Sequence, residues 1–191
     1  MNSLPDHILH LLKTSKYVHL ATASSDGVPS VSLMNYAYLA PESSETEGDT
    51  HYIVFATSAV TEKYKNITTN PNVSLLIHDW VTAKKLSLRK NSTSASLSGG
   101  AGSEAEEAPS RLLNILQELN QSELSQMSAT LKGLAEVIDS SSPDFVLYRD
   151  ALLKANPDAK CFVLGDDVVI VKAQITGAKV SDTSNNTSIY Y

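Results

Sequence analysis

The 191-residue sequence carries a single cysteine, Cys161. No disulfide can form within one chain, so the expected setting is a reducing, intracellular compartment, the cytoplasm first among them. Cys161 precedes the apolar run Phe162-Val-Leu164 and is expected to be a small buried hydrophobe rather than a nucleophile. Positive charge is also scarce: 15 Lys and Arg stand against 21 Asp and Glu, for a formal charge of −6. Without a basic stripe, duplex nucleic acid is not an expected partner, and an anionic membrane surface offers no attraction. No stretch approaches the ~20 consecutive apolar residues of a membrane span. The first residues, MNSLPDHILHLLKTSK, lack the apolar core and small-residue cleavage site of a secretory signal.

Several motifs are missing as well. There is no GxGxxG fingerprint and no GK[ST] phosphate loop. The cluster Ser98-Gly99-Gly100-Ala-Gly102 has no strand before it and no helix after it, so it reads as flexible loop. No nucleophile elbow supports a serine hydrolase. His7 and His10 share a helix face, but no further ligands are spaced to complete a metal site, and no metal is expected.

What is present is a series of strand-like runs. Pro5 and Asp6 open a short helix with Ile8, Leu9, Leu11 and Leu12 on its apolar side, and Ser3 is its candidate cap. Tyr17–Ala23 and Pro29–Leu39 read as a hairpin around Ser24-Ser-Asp-Gly27, where Gly27 takes positive φ cheaply. An acidic loop from Ala40 leads to a strand ending near Ala56, then a short helix stopped at Asn70-Pro71, then a strand over Val73–His78. The segment from Lys84 to Pro109 is rich in Ser, Gly, Ala and Glu, with one strand expected at Thr93–Gly99.

Arg111–Ile138 has helical spacing. Leu112, Ile115, Leu116 and Leu119 form one stripe, and Leu124, Met127, Leu131, Leu134 and Ile138 form a second. A further helix is expected from Ser142-Pro143 to Lys154. Two strands, Lys160–Leu164 and Val168–Ala173, are expected to pair across Gly165-Asp166-Asp167, with Ile175–Val180 continuing or pairing with them. The tail after Asp182 is expected to fray. Antiparallel neighbours on short turns favour a closed or half-closed barrel over a doubly wound sheet.

The turn from Thr57 to Lys63 is the most suggestive local feature. Phosphate binding calls for several N–H or O–H donors and a cation, and Thr57, Thr61 and Lys63 are of those types. A hydroxyl-rich loop with a surface lysine is equally an ordinary polar turn, so this pattern alone leaves both readings open.

The order of elements over residues 17–80 resembles the pyridoxamine 5′-phosphate oxidase-like family of flavin mononucleotide (FMN)-binding split barrels. The matching pieces are Leu20-Ala-Thr22, Asp26-Gly-Val-Pro29, Val31–Tyr38, Phe55-Ala-Thr57, Lys63, Asn66 and Asn70-Pro-Asn-Val-Ser-Leu75. The resemblance implies a mainly β fold with helical additions, a six- to seven-stranded antiparallel split β-barrel of the FMN-binding type. Residues 1–191 would form one domain, with 84–142 as a Ser-rich loop and helical insertion. It also implies a homodimer with FMN at the subunit interface. The matching ring-side positions are Ser32, Leu33, Met34 and Asn35, and the ring- and phosphate-binding positions are Ala56, Thr57, Thr61 and Lys63. Ser94 matches a later strand that contributes a side chain.

The family's oxidases place Arg, Lys and Arg where this sequence has Ser32, Ala37 and Glu62, and their basic C-terminal motif has no counterpart in VSDTSNNTSIYY. The resemblance therefore implies an FMN-dependent oxidoreductase of unknown small-molecule substrate rather than an oxidase of the vitamin phosphate. A flavin-binding carrier or sensor without turnover, and a structural or interaction module using the Leu112–Ile138 segment, are the alternatives.

Overall fold

The computed structural model describes residues 4–41, 50–78, 127–182 and 186–191. In chain order these form α1 (Asp6–Thr14), β1 (Tyr17–Ala23), β2 (Pro29–Asn35), β3 (Ala37–Leu39), β4 (Tyr52–Ser58), α2 (Glu62–Thr69), β5 (Asn72–His78), β6 (Met127–Ile138), α3 (Pro143–Ala155), a 3-10 turn (Pro157–Ala159), α4 (Lys160–Val163), β7 (Val168–Asp182) and β8 (Thr187–Tyr190).

All strand pairs are antiparallel, in the order β2-β1-β5-β6-β7-β4-β3, with β8 added to β7. The two ends of this order, β2 and β3, are consecutive in the chain and separated only by the buried Tyr36. That continuity brings the sheet's edges round toward each other and makes a split antiparallel barrel, as expected. Eight strands are present among the described residues, against the six or seven read from the sequence.

The Tyr17–Ala23 hairpin forms around the expected turn. Gly27 has φ +87°, Gly27 N–H donates to the Ser24 carbonyl at 3.0 Å, and Val28 N–H donates to Ser24 Oγ at 2.9 Å. Its returning strand, however, does not run unbroken to Leu39. It stops at Asn35, and Ala37–Leu39 pairs with β4 instead.

The interior is filled by Leu20, Phe55, Leu75, Leu131 and Val171 among others, and Leu4 plugs it together with Ile8, Leu11 and Leu12 of α1. The expected cap Ser3 lies outside the described residues; Pro5 is the N-cap, without a side-chain bond. Tyr36 Oη donates to the Leu12 carbonyl at 2.8 Å and so ties the end of α1 to the β2–β3 junction. Burial pushes the Tyr36 phenol well above its ordinary pKa.

A second apolar cluster lies on the outer face of the sheet. There Val54, Ala56 and Ile170 pack under Leu152 of α3 and Val163 of α4. With both faces covered, β4 is buried from Ile53 to Thr57 without alternation. On the same outer face Lys172 Nζ lies 3.3 Å from Glu136 Oε2 and 5.7 Å from the Tyr148 ring of α3.

Three expectations are corrected. First, Met127–Ile138 is a twelve-residue strand at the centre of the sheet, not the second half of a helix. Its inner positions are Ala129, Leu131, Gly133 and Ala135, and Leu134, counted in the helical stripe, is 47% exposed. The 84–142 segment is therefore not wholly an insertion; residues 84–126 lie outside the described residues. A Cβ on Gly133 would come within 3.1 Å of the Gln174 carbonyl oxygen, at the point where the β6–β7 register shifts.

Second, the segment expected as the strand Lys160–Leu164 is helical over Lys160–Val163, because Asn156-Pro157 leads into a 3-10 turn that runs directly into α4. Cys161 is thereby exposed, not buried. Ile175–Val180 continues Val168–Ala173, so that Val168–Asp182 is one strand pairing with both β4 and β6. Third, the C-terminal residues Thr187–Tyr190 do not fray but pair with Ala178–Ser181.

Candidate functional site

The seam where β2 leaves the sheet and β4 ends opens into a cleft of about 390 Å³. One wall is Leu33, Met34 and Asn35 at the end of β2. The opposite wall comes from Leu152 and Asn156 of the α3 terminus with Phe162 of α4, and the closed end from Ala56, Thr57, Thr61 and Lys63. Register explains why three successive β2 residues contribute. Met34 lies opposite Val18 on the inner face, and Leu33 opposite His19 on the outer face, so the cleft straddles the edge of the sheet.

The closed end is built from local chemistry. Thr61 is the N-cap of α2: its Oγ1 accepts from Tyr64 N–H at 3.4 Å and donates to the Ser58 carbonyl at 2.8 Å. Thr57 Oγ1 lies 3.0 Å from Thr61 Oγ1. The first-turn N–H groups of α2 have no intrahelical acceptors, and the positive end of its dipole faces the same corner. Lys63, half-buried in that first turn, adds a full positive charge. Behind the turn, Asn66 Nδ2 donates to Thr22 Oγ1 at 3.1 Å, and both side chains are buried, which fixes α2 against β1.

One carboxylate opposes this arrangement. Asp167, from the loop before β7, also lines the cleft and accepts from Ser58 Oγ. Its backbone carbonyl accepts from Ala59 N–H at 2.8 Å. Glu62, by contrast, is exposed and absent from the lining, so its charge faces solvent rather than the corner.

Of the residues singled out in the sequence, Leu33, Met34, Asn35, Ala56, Thr57, Thr61 and Lys63 meet in this cleft. Ser32 does not; it lies opposite Leu20 on the inner face. Ser94 lies outside the described residues. The sequence reading missed Asn156, Asp167, Cys161 and Phe162. No local signal brings Asn156, beyond the end of the α3 segment, or Asp167, in the turn before β7, to the cleft.

The donor set suits a phosphorylated, planar ligand: hydroxyls, helix N–H groups and one ammonium at the closed end, and an apolar strand edge alongside. No helix among the described residues is long and apolar enough to cross a membrane.

Comparison with known proteins agrees with this geometry. The family model described as Pyridoxamine 5′-phosphate oxidase matches residues 4–146. A Saccharomyces cerevisiae protein named Pyridoxamine 5′-phosphate oxidase homolog is 45% identical over 188 residues, covering 97% of this chain and 94% of its own length. Among solved structures, a heme binding protein from Mycobacterium smegmatis superimposes with a TM-score of 0.58 at 17% identity over 98% of this chain, which spans 58% of that protein. The heme storage protein HutZ from Vibrio cholerae superimposes with a TM-score of 0.53 at 14% identity, covering 90% of this chain and 89% of its own. At such identities the two structures speak for the shared split-barrel fold alone. The extent of the family match and the close yeast relative go further: this chain belongs to the pyridoxamine 5′-phosphate oxidase family.

Proposed function

We propose that the cleft binds FMN and that the protein is an FMN-dependent oxidoreductase acting on a small molecule. The observation that carries this reading is the meeting of Thr57, Thr61 and Lys63 at the closed end of a cleft walled by Leu33 and Met34. The N–H groups of the first turn of α2 would donate to the phosphate, and Lys63 would balance its charge. Thr61, whose hydroxyl proton goes to the Ser58 carbonyl, would hold the turn, and Thr57 Oγ1, turned from Thr61, would add a donor. The β2 edge would lie along one face of the isoalloxazine. When bound, FMN would supply the electron and hydride chemistry; the protein contributes orientation, exclusion of water and electrostatics. Ser32, Ala37 and Glu62, in place of the basic residues of the family's oxidases, argue for a substrate other than the vitamin phosphate.

The heme-binding relatives of the fold suggest an iron porphyrin as an alternative ligand. No histidine is among the described residues lining the cleft, so none of these offers an imidazole ligand to iron. This favours flavin. The absorbance spectrum of freshly purified protein, followed by a thermal-shift titration with FMN, tests the reading. Flavin bands or a saturable shift support it; a colourless protein with no shift, or a Soret band, counts against it.

A second copy of the chain is proposed to cover the open side of the cleft. Val31 and Leu33 on the edge strand β2 are 66% and 60% exposed, and Phe162 across the cleft is 66% exposed. Burying such side chains is worth roughly 1.5–3 kcal/mol each. Light scattering showing a monomer at micromolar concentration would remove this part of the proposal.

A further inference from the structure

Asn156 and Asn35 form a relay whose hydrogen-bond polarity can be worked out without choosing it. Asn156 is 4% exposed at the C-terminus of α3. Its Nδ2 donates to the Tyr36 carbonyl at 2.8 Å and to the Leu152 carbonyl at 3.2 Å. Backbone carbonyls only accept, so both N–H groups of that amide are committed and its orientation is fixed. Asn156 Oδ1 is then an acceptor, and Asn35 Nδ2 lies 3.1 Å from it. The Asn35 amide is fixed in turn: its NH2 group faces Asn156 and its Oδ1 faces the other way. Asn35 lines the cleft, and its Oδ1 has no hydrogen-bond partner among the described residues.

We infer that Asn35 reads the pyrimidine edge of a flavin. Asn35 Oδ1 accepts from the ring imide N–H, while the second N–H of its amide faces a flanking ring carbonyl. Asn156 is a positioning residue, because its amide N–H groups and its Oδ1 are already bonded within the protein and it acts by setting which end of Asn35 faces the cleft. This rests on the flavin reading above and names the residue that would select the ring once the phosphate is held. An amide free to rotate would serve a ring donor and a ring acceptor alike. One whose NH2 group is pinned from behind distinguishes them, because the wrong edge would leave Oδ1 facing another acceptor.

The test compares FMN with its N3-methyl analogue, which lacks the imide proton, in titrations of the full chain. Wild type is expected to prefer FMN by about tenfold or more, the value of one well-made hydrogen bond plus the cost of stranding its acceptor. In Asn35→Leu the preference is expected to fall to about twofold. Leucine occupies at least as much space as asparagine, so a purely steric rejection of the methyl group would persist. Asn156→Ala should lower the preference as well, although the polar atoms it removes are all bonded within the protein. If that variant proves unstable, Asn35→Leu decides alone. FMN binding with an equal preference in wild type and Asn35→Leu would overturn this inference and leave the flavin reading intact. Failure of wild type to bind FMN would overturn both.

Discussion

Thr57 Oγ1 and Thr61 Oγ1 sit 3.0 Å apart across the turn that joins β4 to α2. The pair links a buried strand end to a helix cap, so one hydroxyl serves two purposes. Thr61→Ala is expected to destabilise the fold by about 0.5–2 kcal/mol, the usual cost of losing an N-cap. It is also expected to weaken FMN binding, whereas Thr61→Ser keeps both. Urea unfolding and FMN titration of the two variants read these effects separately. A stable Thr61→Ala with unchanged FMN affinity would show that the hydroxyl serves neither the cap nor the ligand.

Lys63 and Asp167 line the same cleft with opposite charges, and they should move affinity in opposite directions. Lys63→Ala is expected to cost about 1.5–3 kcal/mol of FMN binding, the range for a hydrogen bond to a charged group. Asp167→Asn keeps an acceptor for Ser58 and removes the like charge. It is expected to tighten FMN about threefold, by less at high salt because Asp167 is exposed. Weaker binding by Asp167→Asn would place the phosphate away from this end.

The strand assignment of β6 separates Leu131 from Leu134. Leu131 is fully buried and Leu134 is 47% exposed. Leu131→Ala is expected to cost about 2–5 kcal/mol. Leu134→Ala should remain within about 0.5 kcal/mol of wild type. Similar losses at both positions would restore the helical stripe and remove β6 from the sheet.

Tyr36 predicts an alkaline limit to stability. Its phenol is held above its ordinary pKa by burial, so in the unfolded chain the proton leaves first, near pH 10. The unfolded state then binds fewer protons than the folded one, and stability falls as pH rises. The contribution is fully present below about pH 10 and is lost on the approach to the folded-state value. Tyr36→Phe lacks the bond to the Leu12 carbonyl and should be about 1 kcal/mol less stable at neutral pH. The gap should narrow above pH 10; denaturant midpoints that fall in parallel across that range would contradict it.

Many of the element boundaries are written in local chemistry. Gly27 marks the first hairpin, Asn70-Pro71 stops α2, and Ser142-Pro143 starts α3, where Ser142 Oγ accepts from Asp144 N–H at 3.2 Å. β6 was illegible because small residues, Ala129, Gly133 and Ala135, fill its inner face. With those positions inconspicuous, Met127, Leu131, Leu134 and Ile138 show helical spacing instead. α4 was missed because its apolar residues are largely not in the core: Phe162 and Leu164 are exposed and Val163 alone of the three is buried.

The site divides the same way. Thr57, Thr61 and Lys63 lie within one turn and could be read together. Asn156 meets Asn35 across 121 positions, and Asp167 meets Ser58 across 109, proximities that only the closed sheet creates.

The central claim is that the Thr57–Lys63 corner grips a flavin by its phosphate. Titrating the protein with FMN and, separately, with riboflavin tests it most directly, because the two share the ring and differ only in that group. The account predicts saturable FMN binding and riboflavin weaker by about tenfold or more, with the difference largely erased in Lys63→Ala. Equal affinity for the two ligands, or a difference that survives Lys63→Ala intact, would contradict it.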